Sequence, residues 1–204
     1  MQTSTNSRPP SAPPLPAIDS LLAGRTRLRA VQEHDLADLL EANGDDEVTR
    51  FLPYETWHGL EDARSWYLRM CGIVAGGTAR QLVVERVADR KVIGSALLFS
   101  YDAGAASAEL GYVIGRRWWR QGYAGEAIGA LCRHAFAALG LRRIEAQVDA
   151  LNVPSGALLR RLGFAHEGRR RQCWVTRGRL CDADVYGCLA GELAATSPSE
   201  QQRP

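Results

Sequence analysis

The run with the clearest chemistry in this 204-residue chain is RRWWRQGYAGEA at residues 116–127. Arg116, Arg117 and Arg120 precede the first acid, Glu126, and Gly122 stands where an apolar strand pattern gives way to a long helical one. A strand-to-helix junction presents unpaired N–H groups and the positive end of the helix dipole, and a glycine there lets an anion reach the backbone with no Cβ in the way. Such a turn can cradle phosphates, and guanidinium groups suit a multiply charged diphosphate. Read in isolation, the same run is also a glycine-containing loop with a solvated basic face. The chain has no GxGxxG and no GxxxxGK followed by Ser or Thr, so neither common glycine-rich nucleotide turn competes.

Hydrophobic periodicity gives the elements that must position this turn. A strand is expected over residues 26–31, a helix over 35–42 with Leu36, Leu39 and Leu40 on one face, and a loop around Asn43 and Gly44. Leu60, Ala63, Tyr67 and Met70 recur at helical spacing until Gly76 and Gly77. Strands follow at 81–87, 92–100 and 108–114. Residues 122–139 carry Ala124, Ile128, Leu131, Cys132 and Ala135 on one stripe, the longest buried helix, closed by Gly140. A strand at 143–149, a helix from Pro154 to Leu162 capped by Gly163, and a strand pair near 165–175 and 181–189 complete the chain. The order β-α-α-β-β-β-α-β-α-β-β is an α/β (α+β) mixed sheet with helices on both faces.

Composition sets the bounds. With 46% hydrophobic and 24% charged residues, the chain can fold around its own core, and a net charge of +2 gives no argument for DNA. The longest strongly apolar run, residues 92–99, is far short of the ~20 residues that cross a bilayer. Residues 1–20 are expected to be a disordered Pro/Ser-rich segment, 21–194 one domain and 195–204 a disordered tail. The proline-rich start does not read as a signal peptide, so a cytoplasmic location is expected. The five cysteines lack CxxC spacing and read as reduced packing residues, and His34, His58, His134 and His166 show no ligand pairing, so no metal is expected.

The WxxGYAxEA pattern at residues 119–127 resembles the acetyl-CoA motif of the GNAT acetyltransferase superfamily, most closely its RimJ/RimL branch. The resemblance extends through AELGYVIG at 108–115, Asn152 with Ser155, and ALLRRLGF ending at Phe164, and covers roughly residues 25–190. It implies a GNAT-like acyl-CoA N-acyltransferase fold with acetyl-CoA as co-substrate. Backbone N–H groups of Gln121, Gly122, Tyr123, Ala124 and Gly125 would then hold the CoA pyrophosphate, beside Arg116, Arg117 and Arg120. The pantetheine arm would lie in a splay between two parallel strands, along Tyr112, Val113 and Ile114, and Asn152 would bond it. By itself, Asn152 also reads as a turn or cap residue ahead of Pro154.

Acyl transfer from a thioester to an amine needs an unprotonated amine, a polarised carbonyl and a proton for the thiolate. The resemblance makes Glu109 the general base, directly or through water, whereas strand alternation alone would allow an ordinary surface glutamate. Where many superfamily members carry an acidic tyrosine, this chain has Leu159. The branch pattern instead offers Ser155, three residues after Asn152, as the acid, a position that a plain helix N-terminal serine also fits. A thiol with pKa of ~8.5 leaves as thiolate with little help. The amine is expected to attack directly, and Cys132, on the buried stripe, is no covalent intermediate.

In relatives the first two helices and their connection border the acceptor channel. Here that stretch holds Glu41, Asp45, Asp46, Glu47, Glu55, Glu61 and Asp62 against Arg50, a charge that would draw a cationic amine or would simply be solvated. Glu41, Asp45, Asp46 and Trp57 are the acceptor-side candidates, while Tyr67 reads as core. The run Arg169 to Arg171 is a solvated face or a contact for acidic or ribosomal RNA surroundings. The expected acceptor is a protein N-terminal α-amine of ribosomal-protein type, with ribosome association. The alternatives are a small amine such as an aminoglycoside or polyamine, or a non-catalytic acyl-CoA-sensing or RNA-associated module.

Overall fold

Residues 13–194 are described by the computed structural model. Eight strands, β1 (Ser20–Ala23), β2 (Thr26–Ala30), β3 (Arg80–Arg86), β4 (Val92–Asp102), β5 (Ser107–Ile114), β6 (Arg143–Asp149), β7 (Ala165–Thr176) and β8 (Arg179–Leu189), form one sheet in the order β1-β2-β3-β4-β5-β6-β8-β7. Neighbours are antiparallel except β5 and β6, which are parallel. Five helices join them: α1 (Leu36–Asn43), α2 (Asp46–Thr49), α3 (Leu60–Ala75), α4 (Tyr123–Ala137) and α5 (Val153–Arg161).

Strand alternation feeds two cores. On β3, Leu82 and Val84 join the main cluster with α4 and α5, while Val83 joins Trp57, Trp66, Leu39 and Met70 under α1 and α3. Both faces of the sheet are therefore covered. Of the expected stripe on α4, Ile128, Leu131, Cys132 and Ala135 are buried, joined by Ala127, whereas Ala124 is only half-buried and lines the cleft described below. Burial of side chains such as Ile128 and Leu131 is worth roughly 1.5–3 kcal/mol each and fixes this helix, and the turn ahead of it, against the sheet.

The seven expected strands are found within a few residues of their expected limits. Two elements were not foreseen, the edge strand β1 and the four-residue helix α2. Residues 13–19, expected in the disordered segment, instead pack: Leu15 is 0% exposed and its N–H bonds the Gly77 carbonyl at 2.8 Å. The expectations for residues 1–12 and 195–204 lie outside the described residues. Cys132, Cys181 and Cys188 are buried, Cys71 is exposed and Cys173 lies between. Among the described residues, no helix is long and apolar enough to cross a membrane.

Candidate active site

The site begins with a missing strand pairing. β5 and β6 are in register only from Ser107↔Arg143 to Glu109↔Glu145. Beyond that point β5 stays paired with β4 through Ile114, and β6 with β8 through Asp149, so the two parallel strands part. A cleft of about 1960 Å³ opens there, lined by Tyr112, Val113 and Ile114 of β5, the turn from Arg120 to Glu126, the outer face of α4, and Asn152, Ser155 and Leu158 of α5.

The turn has the backbone that its sequence implies. Arg120 and Gly122 are left-handed, at φ 59° and 84°. The first bond of α4 runs from the Glu126 N–H to the Gly122 carbonyl at 3.1 Å, which leaves the amides of Tyr123, Ala124 and Gly125 without helical partners. A Cβ on Gly122 would be strained by that φ and would stand 3.2 Å from the Arg25 guanidinium. Such a cradle of amides fits a diphosphate.

Arg25, on the turn between β1 and β2, clamps this cradle. It donates to the Gln121 carbonyl at 2.7 Å and through Nε to Glu126 at 2.8 Å, and it lies 4.5 Å from the centre of the Tyr123 ring. No local signal at Arg25 announces this. Of the expected arginines, only Arg120 lines the cleft. Arg116 is 3.8 Å from Asp45, and Arg117 stacks on Trp118 at 5.2 Å. Arg133, His134 and Arg161 line the cleft instead.

Asp149 fixes the other wall. This buried residue accepts from the Leu151 N–H at 2.9 Å and from Arg179 at 2.9 Å, which shapes the turn between β6 and α5. Asn152 then caps α5, its Oδ1 accepting from the Ser155 N–H at 3.3 Å. The Ser155 hydroxyl lies 2.7 Å from the Tyr112 hydroxyl. Burial pushes the Tyr112 phenol up to about 12. Gly156 lets α5 settle here, since a Cβ would sit 2.5 Å from the Tyr186 hydroxyl.

Glu109 stands on the opposite face of β5 from Tyr112, outside the cleft lining. Its Oε2 accepts from the Gln147 amide at 3.2 Å, and the Gln147 oxygen accepts from Arg170 at 2.9 Å. Arg169 pairs with Asp184 at 2.7 Å, so two of the three arginines in that run are engaged within the chain. Burial pushes the Cys132 thiol far above its ordinary value, which makes it a poor nucleophile.

Of the acceptor-side candidates, Trp57 is corrected. Trp57 is 6% exposed and packs 5.5 Å from Trp66 in the second core, and Tyr67, half-buried, packs against the same core. The wall near the cleft is built from Glu47, Val48, Phe51 and Leu52. Glu41 pairs with Lys91 at 2.5 Å, and Asp45 faces Arg116. Asp46 lies 3.4 Å from Arg177, which reaches across from the β7–β8 turn to within 3.8 Å of Glu55 and donates to Thr49 and Thr56 at 2.8 and 2.5 Å.

Residues 25–165 match the acetyltransferase (GNAT) domain. The uncharacterized N-acetyltransferase p20 of Bacillus licheniformis is 31% identical over 177 residues, 87% of this chain and 99% of that protein. The [ribosomal protein uS5]-alanine N-acetyltransferase of Escherichia coli is 34% identical over 95 residues, 46% of this chain and 49% of that one. The structure of Mycobacterium smegmatis RimJ in complex with CoA-disulfide superposes with a TM-score of 0.75 at 26% identity, covering 89% of this chain and 90% of that one.

Proposed function

The chain belongs to the GNAT acetyltransferases and is an acetyl-CoA-dependent enzyme, and from that premise we propose that its acceptor is a protein N-terminal α-amine of ribosomal-protein type. The observation that carries this reading is the charge pairing around residues 41–62. A polyamine or aminoglycoside brings several charges and gains from uncompensated carboxylates. Here Lys91 answers Glu41, Arg116 answers Asp45, Arg177 answers Asp46 and Glu55, Arg64 answers Glu61, and Arg50 lies 3.9 Å from Glu47, the acid of this run that lines the cleft. An α-amine brings one charge, and with a pKa of ~7.7–8.0 it needs only a weak base. The likeness to the uS5-alanine N-acetyltransferase supports the same acceptor, and this reading carries with it a cytoplasmic place beside the ribosome.

Acetyl-CoA supplies the activated acyl group as a thioester. In this reading the amides of Gln121 to Gly125 hold its pyrophosphate, Asn152 bonds the pantetheine arm, and the parted edge of β5 directs the thioester into the gap between the strands. Glu109, oriented by Gln147, takes the amine proton directly or through water on one face of the sheet. A backbone N–H of β5 polarises the carbonyl. Ser155, on the other face, offers a hydrogen bond to sulfur as the C–N bond forms and the C–S bond breaks, and the thiolate takes its proton from water.

The test is thiol release from acetyl-CoA, run with a pool of N-terminal peptides and with a panel of aminoglycosides and polyamines, the products located by mass spectrometry. The expected outcome is release with peptides acetylated at the α-amine. Release with the small amines alone would overturn the acceptor reading. Acetyl-CoA binding with no release from either would replace it with an acyl-CoA sensor.

A further inference from the structure

The contact between Tyr112 and Ser155 decides whether Ser155 can do what the preceding reading asks of it. A hydroxyl has one proton to give. The hydrogen bond to Tyr112 is the one the Ser155 hydroxyl makes among the described residues. If Ser155 donated that bond, its proton would be committed to the phenol and none would face the cleft.

The chemistry of the pair sets the direction. A phenol is a far stronger hydrogen-bond donor than an aliphatic alcohol, and an aliphatic oxygen is the better acceptor. The other atom near the Tyr112 hydroxyl, the Ser155 carbonyl oxygen at 3.4 Å, can only accept. Among the described residues, both partners of the phenolic hydroxyl therefore lie on Ser155. Burial holds the phenol protonated at neutral pH, so it always has that proton to give.

We propose that Tyr112 is the positioning residue for the leaving-group step: its hydroxyl donates to Ser155 Oγ and thereby turns the Ser155 proton into the cleft, toward the sulfur of the thioester. Tyr112 gives up no proton in the reaction. The phenol is a weaker acid than the departing thiol, at ~8.5, so a relay ending in phenolate would run uphill. The bond also polarises the Ser155 hydroxyl, because donor and acceptor bonds on one oxygen strengthen each other. Because β5 carries Tyr112 and α5 carries Ser155, the contact also ties the two walls of the cleft together.

The inference rests on Ser155 acting on sulfur, and the experiment separates the two claims. Full-length protein is compared as wild type, Tyr112→Phe, Ser155→Ala and the double variant, with kcat, acetyl-CoA KM and acetyl-CoA Kd measured for each. Tyr112→Phe is expected to lower kcat roughly tenfold, the worth of one hydrogen bond, with KM and Kd within about twofold of wild type. The double variant is expected to match Ser155→Ala, because Tyr112 acts only through Ser155. Wild-type kcat in Tyr112→Phe beside an impaired Ser155→Ala would overturn the role of Tyr112 and leave that of Ser155. Losses that multiply in the double variant, or a change in Kd that accounts for the whole effect, would also overturn it and make the phenol a packing residue. Wild-type turnover in Ser155→Ala would remove both roles.

Discussion

Glu109 reaches its proposed task through one amide, since Gln147 bonds its carboxylate and is itself fixed by Arg170. Glu109→Gln should lower kcat roughly a hundredfold near neutral pH with acetyl-CoA affinity unchanged. The deficit should shrink above about pH 8, where an α-amine is already deprotonated. A pH–rate profile with an N-terminal peptide checks this, and a deficit constant with pH would assign Glu109 a structural part. At this scale the sequence was informative where the signal was local. Gly122 and its neighbours are legible because strand, glycine and helix are contiguous. Arg25 is not, because its bond to Glu126 spans 101 residues and a lone arginine in a turn carries no mark of its partner. Trp57 misled for a related reason: an aromatic residue in an acidic loop looks like a pocket wall until its packing on Trp66 is known.

The elements were easier to read than the side chains between them. β3, β4, β6 and α4 are set by alternation or by a helical stripe that no other conformation can bury. β1 escaped because Ser20–Ala23 is a four-residue edge strand with one buried side chain, and α2 because four residues cannot establish a period. α5 carries a sharper dependence. Gly156 faces the hydroxyl of Tyr186, a core residue only 2% exposed and unable to swing aside. Gly156→Ala should cost about 1–3 kcal/mol, read as a fall in Tm, and should displace the helix that carries Ser155. Turnover should fall by more than acetyl-CoA affinity. An alanine variant with unchanged Tm and kcat would show that α5 has slack at this contact.

Over the whole molecule, charges counted along the sequence become charges paired in space. The acidic run of residues 41–62 looked like a field for cations, yet its partners Lys91, Arg116 and Arg177 come from distant segments. No periodicity announces such compensation. The pairing that joins β7 to β8 sets a limit in acid. Arg169 and His166 bond Asp184, and the Arg169 bond in particular holds its carboxyl below the usual range. An unfolded aspartate titrates near ~3.9, so this stabilisation is complete above that value and disappears as pH falls through the lower folded one. Asp184→Asn should have a lower Tm than wild type at pH 7, with the gap closing as pH falls below the unfolded value of ~3.9. A Tm difference that persists in acid would assign the loss to packing.

In its backbone hydrogen bonding, the sheet is two leaves. β1 to β5 form one and β6 to β8 the other, and they meet only along the Ala106 to Glu109 end of β5. That short seam acts as a spine, and the cleft is the angle between the open pages. Arg177 reaches from the second leaf to Thr49 and Thr56, beside the first, and serves as a clasp. The two leaves are thus held at the seam, across the cleft by the Tyr112–Ser155 bond, and at the clasp, three places that lie far apart in the chain.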